Sequence, residues 1–146
     1  MRYELDIATV IHADAAATWS AWTDIDRFAT WDPREQRNRL DGPFGVGTTG
    51  WSKQKGAPGG PYTICRIEPG RGWQATSPLP GGTLTIDHRI EDLGDGQVRV
   101  SKRYVATGPL SLAFRCWFGP SIRRAMPASF TALAAEAARR HAAMSA

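Results

Sequence analysis

The sequence is poor in the side chains that crosslink a chain or hold a metal. It has 2 cysteines, Cys65 and Cys116, and 3 scattered histidines, His12, His88 and His141. Neither cysteine has a His or a second Cys at ligand spacing, so composition argues against a structural zinc site and no metal is expected. The opening residues MRYELDIATVIH alternate rather than run apolar, which gives neither a signal-peptide core nor a membrane span. Without a secretory signal the two thiols are expected to be reduced and buried, in a cytoplasmic protein. Also missing are a glycine-rich phosphate loop before a helix, a serine nucleophile elbow, an HExxH pair and paired carboxylates in an evident site. These absences disfavour nucleotide, metal and flavin chemistry, and no cofactor is expected.

Acidic residues are the scarcer charge, 14 against 18 Lys and Arg, for a formal net charge of +4. The basic residues are nonetheless spread along the chain, and their densest groups are Arg34, Arg37 and Arg39, then Arg123 with Arg124, then Arg139 with Arg140. No nucleic-acid motif accompanies them, so they read as solvated faces and no nucleic acid is expected as a partner. The surplus suits attraction of an acidic small molecule or an acidic carrier protein. A chain of 146 residues is expected to form one domain, residues 1–146, as a monomer or homodimer. A compact chain of that length buries roughly 70% of its unfolded surface, enough for a core with a hollow in it.

Glycine and proline are plentiful, 15 and 10 residues, and they punctuate short apolar runs. Residues 3 to 11 set Tyr3, Leu5, Ile7, Thr9 and Ile11 against Glu4, Asp6 and Ala8, the period of a half-buried strand. Asp14 stands at an N-cap position before Ala15, Ala16 and Ala17, and a second short helix runs from Asp26 to Trp31 until Pro33 ends it. Asp24 and Asp32 flank that helix, and capping accounts for both. Turn signals at 41–50, 55–61, 69–72, 78–82 and 93–96 then separate TTGWSKQ, YTICRIE, WQATS, TLTIDHRIE and QVRVSKRYVAT, which read as antiparallel strands. After Gly108 and Pro109, Ile122, Met126, Phe130, Leu133 and Ala137 recur at three or four residues as one apolar helical stripe. Pro120 suits the start of this helix, and Pro127 is expected to kink or restart it. The expected class is α+β, a curved antiparallel sheet wrapped around a long C-terminal helix, with a cavity for an apolar ligand where the two part.

At this point IHADAAATWSAWTD, followed seven residues after Asp24 by Trp31, resembles the SRPBCC or START-like superfamily, and within it most nearly the polyketide cyclase/dehydrase family. The resemblance continues through LDGPFGVGTTG (40–50), IEPGRGW (67–73), LPGGTLTIDHRIE (79–91) and DGQVRVSKRYVATGPL (95–110) to the closing Ala-rich helix, nearly the whole chain. It implies a helix-grip fold, a seven-stranded sheet around the C-terminal helix with a deep pocket between them. The superfamily includes aromatase/cyclases, lipid carriers, and hormone- and allergen-type binders. The implied function is binding of a small hydrophobic molecule, aromatic or polyketide-like. The alternatives are a cofactor-free cyclase or dehydratase of specialised metabolism and a lipid or quinone carrier.

Alternation then selects site residues. Leu84, Ile86, His88 and Ile90 share the apolar face of their strand, so His88 points inward as an acid or base, or as a core imidazole bonded to a neighbour. Val98, Val100, Lys102, Tyr104 and Ala106 form the next such row. Lys102 either lies at a pocket mouth or marks a bulge, with its ammonium expected to snorkel to the rim; pointing inward it would take a carboxylate or a proton. Tyr104 can donate to a ligand carbonyl or to backbone. His88, Tyr104 and Lys102 are thus the candidate catalytic residues, and Trp51, Tyr62, Trp73 and Ile86 either shape the cavity or fill the core. Phe118, Ile122 and Met126 are expected as the opposite wall. Of the clustered tryptophans, Trp19 and Trp22 are expected to seat the first helix and Trp31 to touch ligand.

Overall fold

The computed structural model describes residues 1–145. Strand β1 (Arg2–His12) buries Leu5 and Ile11, as its alternation dictates. The chain reverses at Asp14, whose Oδ2 accepts the Ala17 N–H at 2.9 Å and so caps α1 (Ala15–Thr23). A single 3₁₀ turn, Ile25–Arg27, leads to α2 (Phe28–Trp31), which stops at Asp32, extended before Pro33. Six strands follow: β2 (Glu35–Leu40), β3 (Thr49–Gln54), β4 (Gly60–Glu68), β5 (Gly72–Leu79), β6 (Gly82–Gly94) and β7 (Gln97–Thr107).

All seven strands pair antiparallel in the order β1-β7-β6-β5-β4-β3-β2. The meander therefore returns its last strand to its first, along an unbroken register from Arg2 opposite Thr107 to His12 opposite Gln97. The β6–β7 hairpin turns tightly because Gly94, Asp95 and Gly96 all take positive φ, at 80°, 55° and 72°. Register shifts between Glu35 and Arg37, Ile64 and Arg66, and Asp92 and Gly94 add local bend to a sheet that curls into a half-barrel.

The concave face holds the helices. The C-terminal helix starts at Ser111 rather than at Pro120: α3 (Ser111–Ala113), a π-helical segment (Phe114–Phe118) and α4 (Gly119–Met144) form one continuous run. Pro120 has no N–H for the carbonyl four residues back, and the widened turn, in which the Gly119 N–H reaches the Phe114 carbonyl, carries the helix past it. Gly119 suits this turn, because a Cβ there would run into the Phe114 carbonyl as well as the Tyr3 hydroxyl. Nor does Pro127 restart the helix; α4 runs through it, with the ring on the exposed side. Ile122, Met126, Phe130, Leu133 and Ala137 are all buried, so the stripe read from the sequence is the face that meets the core.

Arg140 ties this helix to α1: its Nη2 lies 2.9 Å from Asp24 Oδ2 and its Nη1 3.1 Å from Ser20 Oγ. Trp22 is buried in the core, while Trp19 packs edge-on against Phe44 at 6.2 Å. Both cysteines are free, but they are exposed rather than buried. In β4 the inward positions go to Tyr62 and Ile64, which puts Cys65 on the outer face, and Cys116 lies on the outside of the π-helical segment. Among the described residues no helix is long and apolar enough to cross a membrane.

Candidate functional site

Cross-strand register assembles the site. Trp73 pairs with His88, and His88 pairs with Lys102, so β5, β6 and β7 bring these side chains into one row. The next row holds Ala75, Ile86 and Tyr104. Facing them are Phe28 of α2, Arg34, and Glu35 and Asn38 of β2, with Gln54 and Tyr62 behind. Between the two sides lies a cavity of about 50 Å³.

His88 is clamped between two indoles. Its ring stacks on Trp73 at 3.8 Å and 8°, and Trp22 meets it edge-on at 5.2 Å. The Trp73 Nε1–H donates to the Trp22 carbonyl at 3.1 Å, locking the pair together. His88 Nδ1 lies 3.3 Å from the Trp73 carbonyl, which can only accept. Burial, with the nearby Lys102 charge adding to it, holds the imidazole pKa well below its ordinary value. The ring is therefore neutral with the proton on Nδ1, leaving the Nε2 lone pair as a base.

Lys102 does not snorkel to the rim. It is 6% exposed, its register with β1 and β6 is unbroken, and alternation carries the side chain inward. Its Nζ lies 6.0 Å from the centre of the Trp22 ring and, among the described residues, forms no hydrogen bond or ion pair with protein. Glu35 is also buried and accepts from Gln54 Nε2 at 3.3 and 3.1 Å on its two oxygens. Desolvation raises its pKa, and the Lys102 charge opposes that rise. Arg34 donates from Nη1 to the Tyr104 hydroxyl at 3.3 Å, which leaves the phenolic proton of Tyr104 for another acceptor. Asp32, just upstream, accepts from Ser129 Oγ at 2.7 Å and from the Arg34 N–H at 2.9 Å, pinning the α2–β2 junction to α4. Tyr62 donates to Asn38 Oδ1 at 2.9 Å, and burial raises its phenol pKa further from neutrality.

Of the residues selected from the sequence, His88, Lys102, Tyr104, Tyr62, Trp73 and Ile86 meet at this cavity. The others do not line it. Trp31 packs edge-on to Phe28 at 5.7 Å, with its Nε1 buried and unpartnered. The Trp51 ring covers Gly59, where a Cβ would come within 2.2 Å of it. Phe118 packs on Phe114 at 5.0 Å, while Ile122 and Met126 sit in the core under α4. The wall opposite β5–β7 is thus α2 and β2 rather than the C-terminal helix. Sequence reasoning missed Arg34, Glu35, Asn38 and Gln54. EQRNRL shows no apolar alternation, and the bulge between Glu35 and Arg37 lets both Glu35 and Asn38 face the cavity, which a simple period of two forbids. Among the described residues no three His, Cys, Asp or Glu side chains are grouped to hold a metal ion.

No family model and no curated protein matches the chain in sequence. Solved structures do match in shape. The ZhuI aromatase/cyclase from Streptomyces sp. R1128 superposes with a TM-score of 0.75 over 96% of both chains, at 15% identity. Truncated norcoclaurine synthase from Thalictrum flavum gives 0.65 over 92% of both chains, at 12% identity. Ara h 8.0201 gives 0.69 over 95% of this chain and 99% of that one, at 14% identity. At such identities the likeness shows the fold alone, and that fold is the helix-grip implied by the SRPBCC or START-like resemblance. What these proteins do is a property of each of them.

Proposed function

We propose that the chain binds a small hydrophobic molecule, aromatic or polyketide-like, between the sheet and the helices, with its polar end at the Lys102 row. One observation carries this: a single cavity combines aromatic walls, Phe28, Tyr62 and Trp73, with the inward-facing polar groups of His88, Lys102 and Tyr104. The aromatase/cyclase among the structural neighbours supports an aromatic ligand class. At about 50 Å³ the cavity accepts only the tip of such a ligand, so its body needs α2 and β2 to move outward. β2 is the edge strand of the sheet, with a neighbour on one side only. The test is to fill the hollow. Ala75→Phe should abolish binding of aromatic probes such as 2-naphthamide while leaving the circular dichroism spectrum intact. Unchanged affinity would remove the cavity from the account.

A second function, cofactor-free cyclisation or dehydration, is favoured by one specific feature: a neutral imidazole with a free Nε2 lone pair beside two donors, Lys102 and Tyr104. In a poly-β-ketone, Nε2 would take the proton between two carbonyls while Lys102 or Tyr104 donates to the carbonyl under attack. The new carbon–carbon bond forms as the enolate adds to that carbonyl, and the resulting hydroxyl later leaves as water. Turnover should collapse in His88→Ala and Tyr104→Phe with ligand affinity retained. Equal turnover in both variants and the wild type would exclude these residues.

A further inference from the structure

Resting on the proposed binding role, we infer that the ligand carries a carboxylate, and that this group seats against Lys102 with Arg34 as its second cation. Four observations converge. The Lys102 side chain is 6% exposed, and no protein acceptor reaches its ammonium among the described residues. Its charge is met by the Trp22 ring at 6.0 Å and at longer range by Glu35, which offset part of the cost of burial without supplying a hydrogen-bond acceptor. Arg34, at the same cavity, forms no ion pair within 4 Å among the described residues; its guanidinium leans on Tyr104, with Cζ 6.0 Å from the ring centre. Finally, the Tyr104 hydroxyl accepts from Arg34 and keeps its own O–H free as a further donor at the same cavity.

Lys102, Arg34 and the free Tyr104 O–H line the cavity as donors, and Glu35, the carboxylate that lines it, is already engaged by Gln54. Glu35 and Asp32 share the electrostatics of this end with Lys102 and Arg34, yet among the described residues neither carboxylate comes within bonding distance of the Lys102 ammonium. Buried charges are stable when paired, and the missing partner is one anion. Size narrows its identity. A hollow of about 50 Å³ suits a compact, planar anion such as a carboxylate. An arginine and a lysine on either side also match the two oxygens of one carboxylate.

The experiment compares two probes of one shape, 2-naphthoate and 2-naphthamide, by isothermal titration calorimetry on the intact chain. In the wild type the carboxylate should bind roughly tenfold to hundredfold more tightly, the range of a charge-assisted hydrogen bond. Lys102→Met should weaken 2-naphthoate binding roughly tenfold more than 2-naphthamide binding and so shrink that preference; Lys102→Gln serves if the methionine variant does not keep the wild-type circular dichroism spectrum. Equal affinity of the two probes in the wild type overturns the carboxylate inference while the binding role stands. A preference undiminished by loss of the ammonium overturns the assignment to Lys102. Failure of both probes to bind overturns the binding role together with the inference.

Discussion

His88 is held by a stacked indole, an edge-on indole and one backbone carbonyl; burial among them and the Lys102 charge favour the neutral ring and outweigh the carbonyl bond, which favours the charged one. In the unfolded chain the imidazole titrates near its ordinary 6.5, whereas in the folded chain its pKa is lower. Between those values the unfolded state binds the additional proton. Its contribution to stability is therefore complete above 6.5 and is lost as pH falls toward the folded value. Each pH unit of depression corresponds to about 1.4 kcal/mol. Glu35, whose pKa is raised, acts in the opposite direction: its contribution is present below 4.5 and is lost as pH rises through its folded value. His88→Phe keeps a flat ring for Trp73 and removes the titration. Melting temperatures should fall more steeply below pH 6.5 in the wild type than in this variant; parallel slopes would contradict the buried neutral imidazole. His88, Lys102 and Tyr104 were legible from alternation because β6 and β7 pair without a break from Leu84 to Asp92. Glu35 and Arg34 were not, since a bulge and a strand start displace them from any simple period. The depth of Lys102 was misjudged for a different reason: snorkelling needs a nearby rim, and β7 runs between two neighbours in the interior of the sheet.

Among the elements, α4 shows how a local rule can be overridden. Pro127 removes the N–H that would bond the Arg123 carbonyl, yet the helix continues because Ile122, Met126, Phe130 and Leu133 are locked in the core on both sides of it. The stripe was readable from spacing. The early start of the helix at Ser111 was not, because two prolines and a glycine look like a boundary, and only the π-helical turn reconciles them with a continuous helix. The ring of Pro127 is exposed, so replacing it sacrifices no packing. Pro127→Ala should restore the bond and stabilise the fold by about 1–3 kcal/mol, read as a higher urea midpoint at constant slope. A midpoint at or below the wild-type value would mean that the helix has already absorbed the proline without cost.

For the whole molecule, the curved antiparallel sheet and the embedded helix follow from turn-separated short strands and one long apolar stripe, and this level was open to sequence reasoning, apart from the edge strand β2, whose EQRNRL carries no strand period. The location of the hollow was not. The sequence placed the opposite wall on the C-terminal helix, but α4 fills its side of the core with Ile122 and Met126, and the space opens instead against α2 and β2. Side-chain volume decides such a point, and volume is set by packing between elements far apart in sequence. The central claim, that this hollow admits an aromatic molecule, is tested most directly by titrating ¹⁵N-labelled protein with 2-naphthamide and mapping amide shift changes, in the wild type and in Ala75→Phe. The account predicts saturable changes centred on Ala75, Ile86, His88, Lys102 and Tyr104, extending to Arg34 and Glu35, and their loss in the filled variant. Changes confined to the outer face of the sheet, or identical in both proteins, would contradict it.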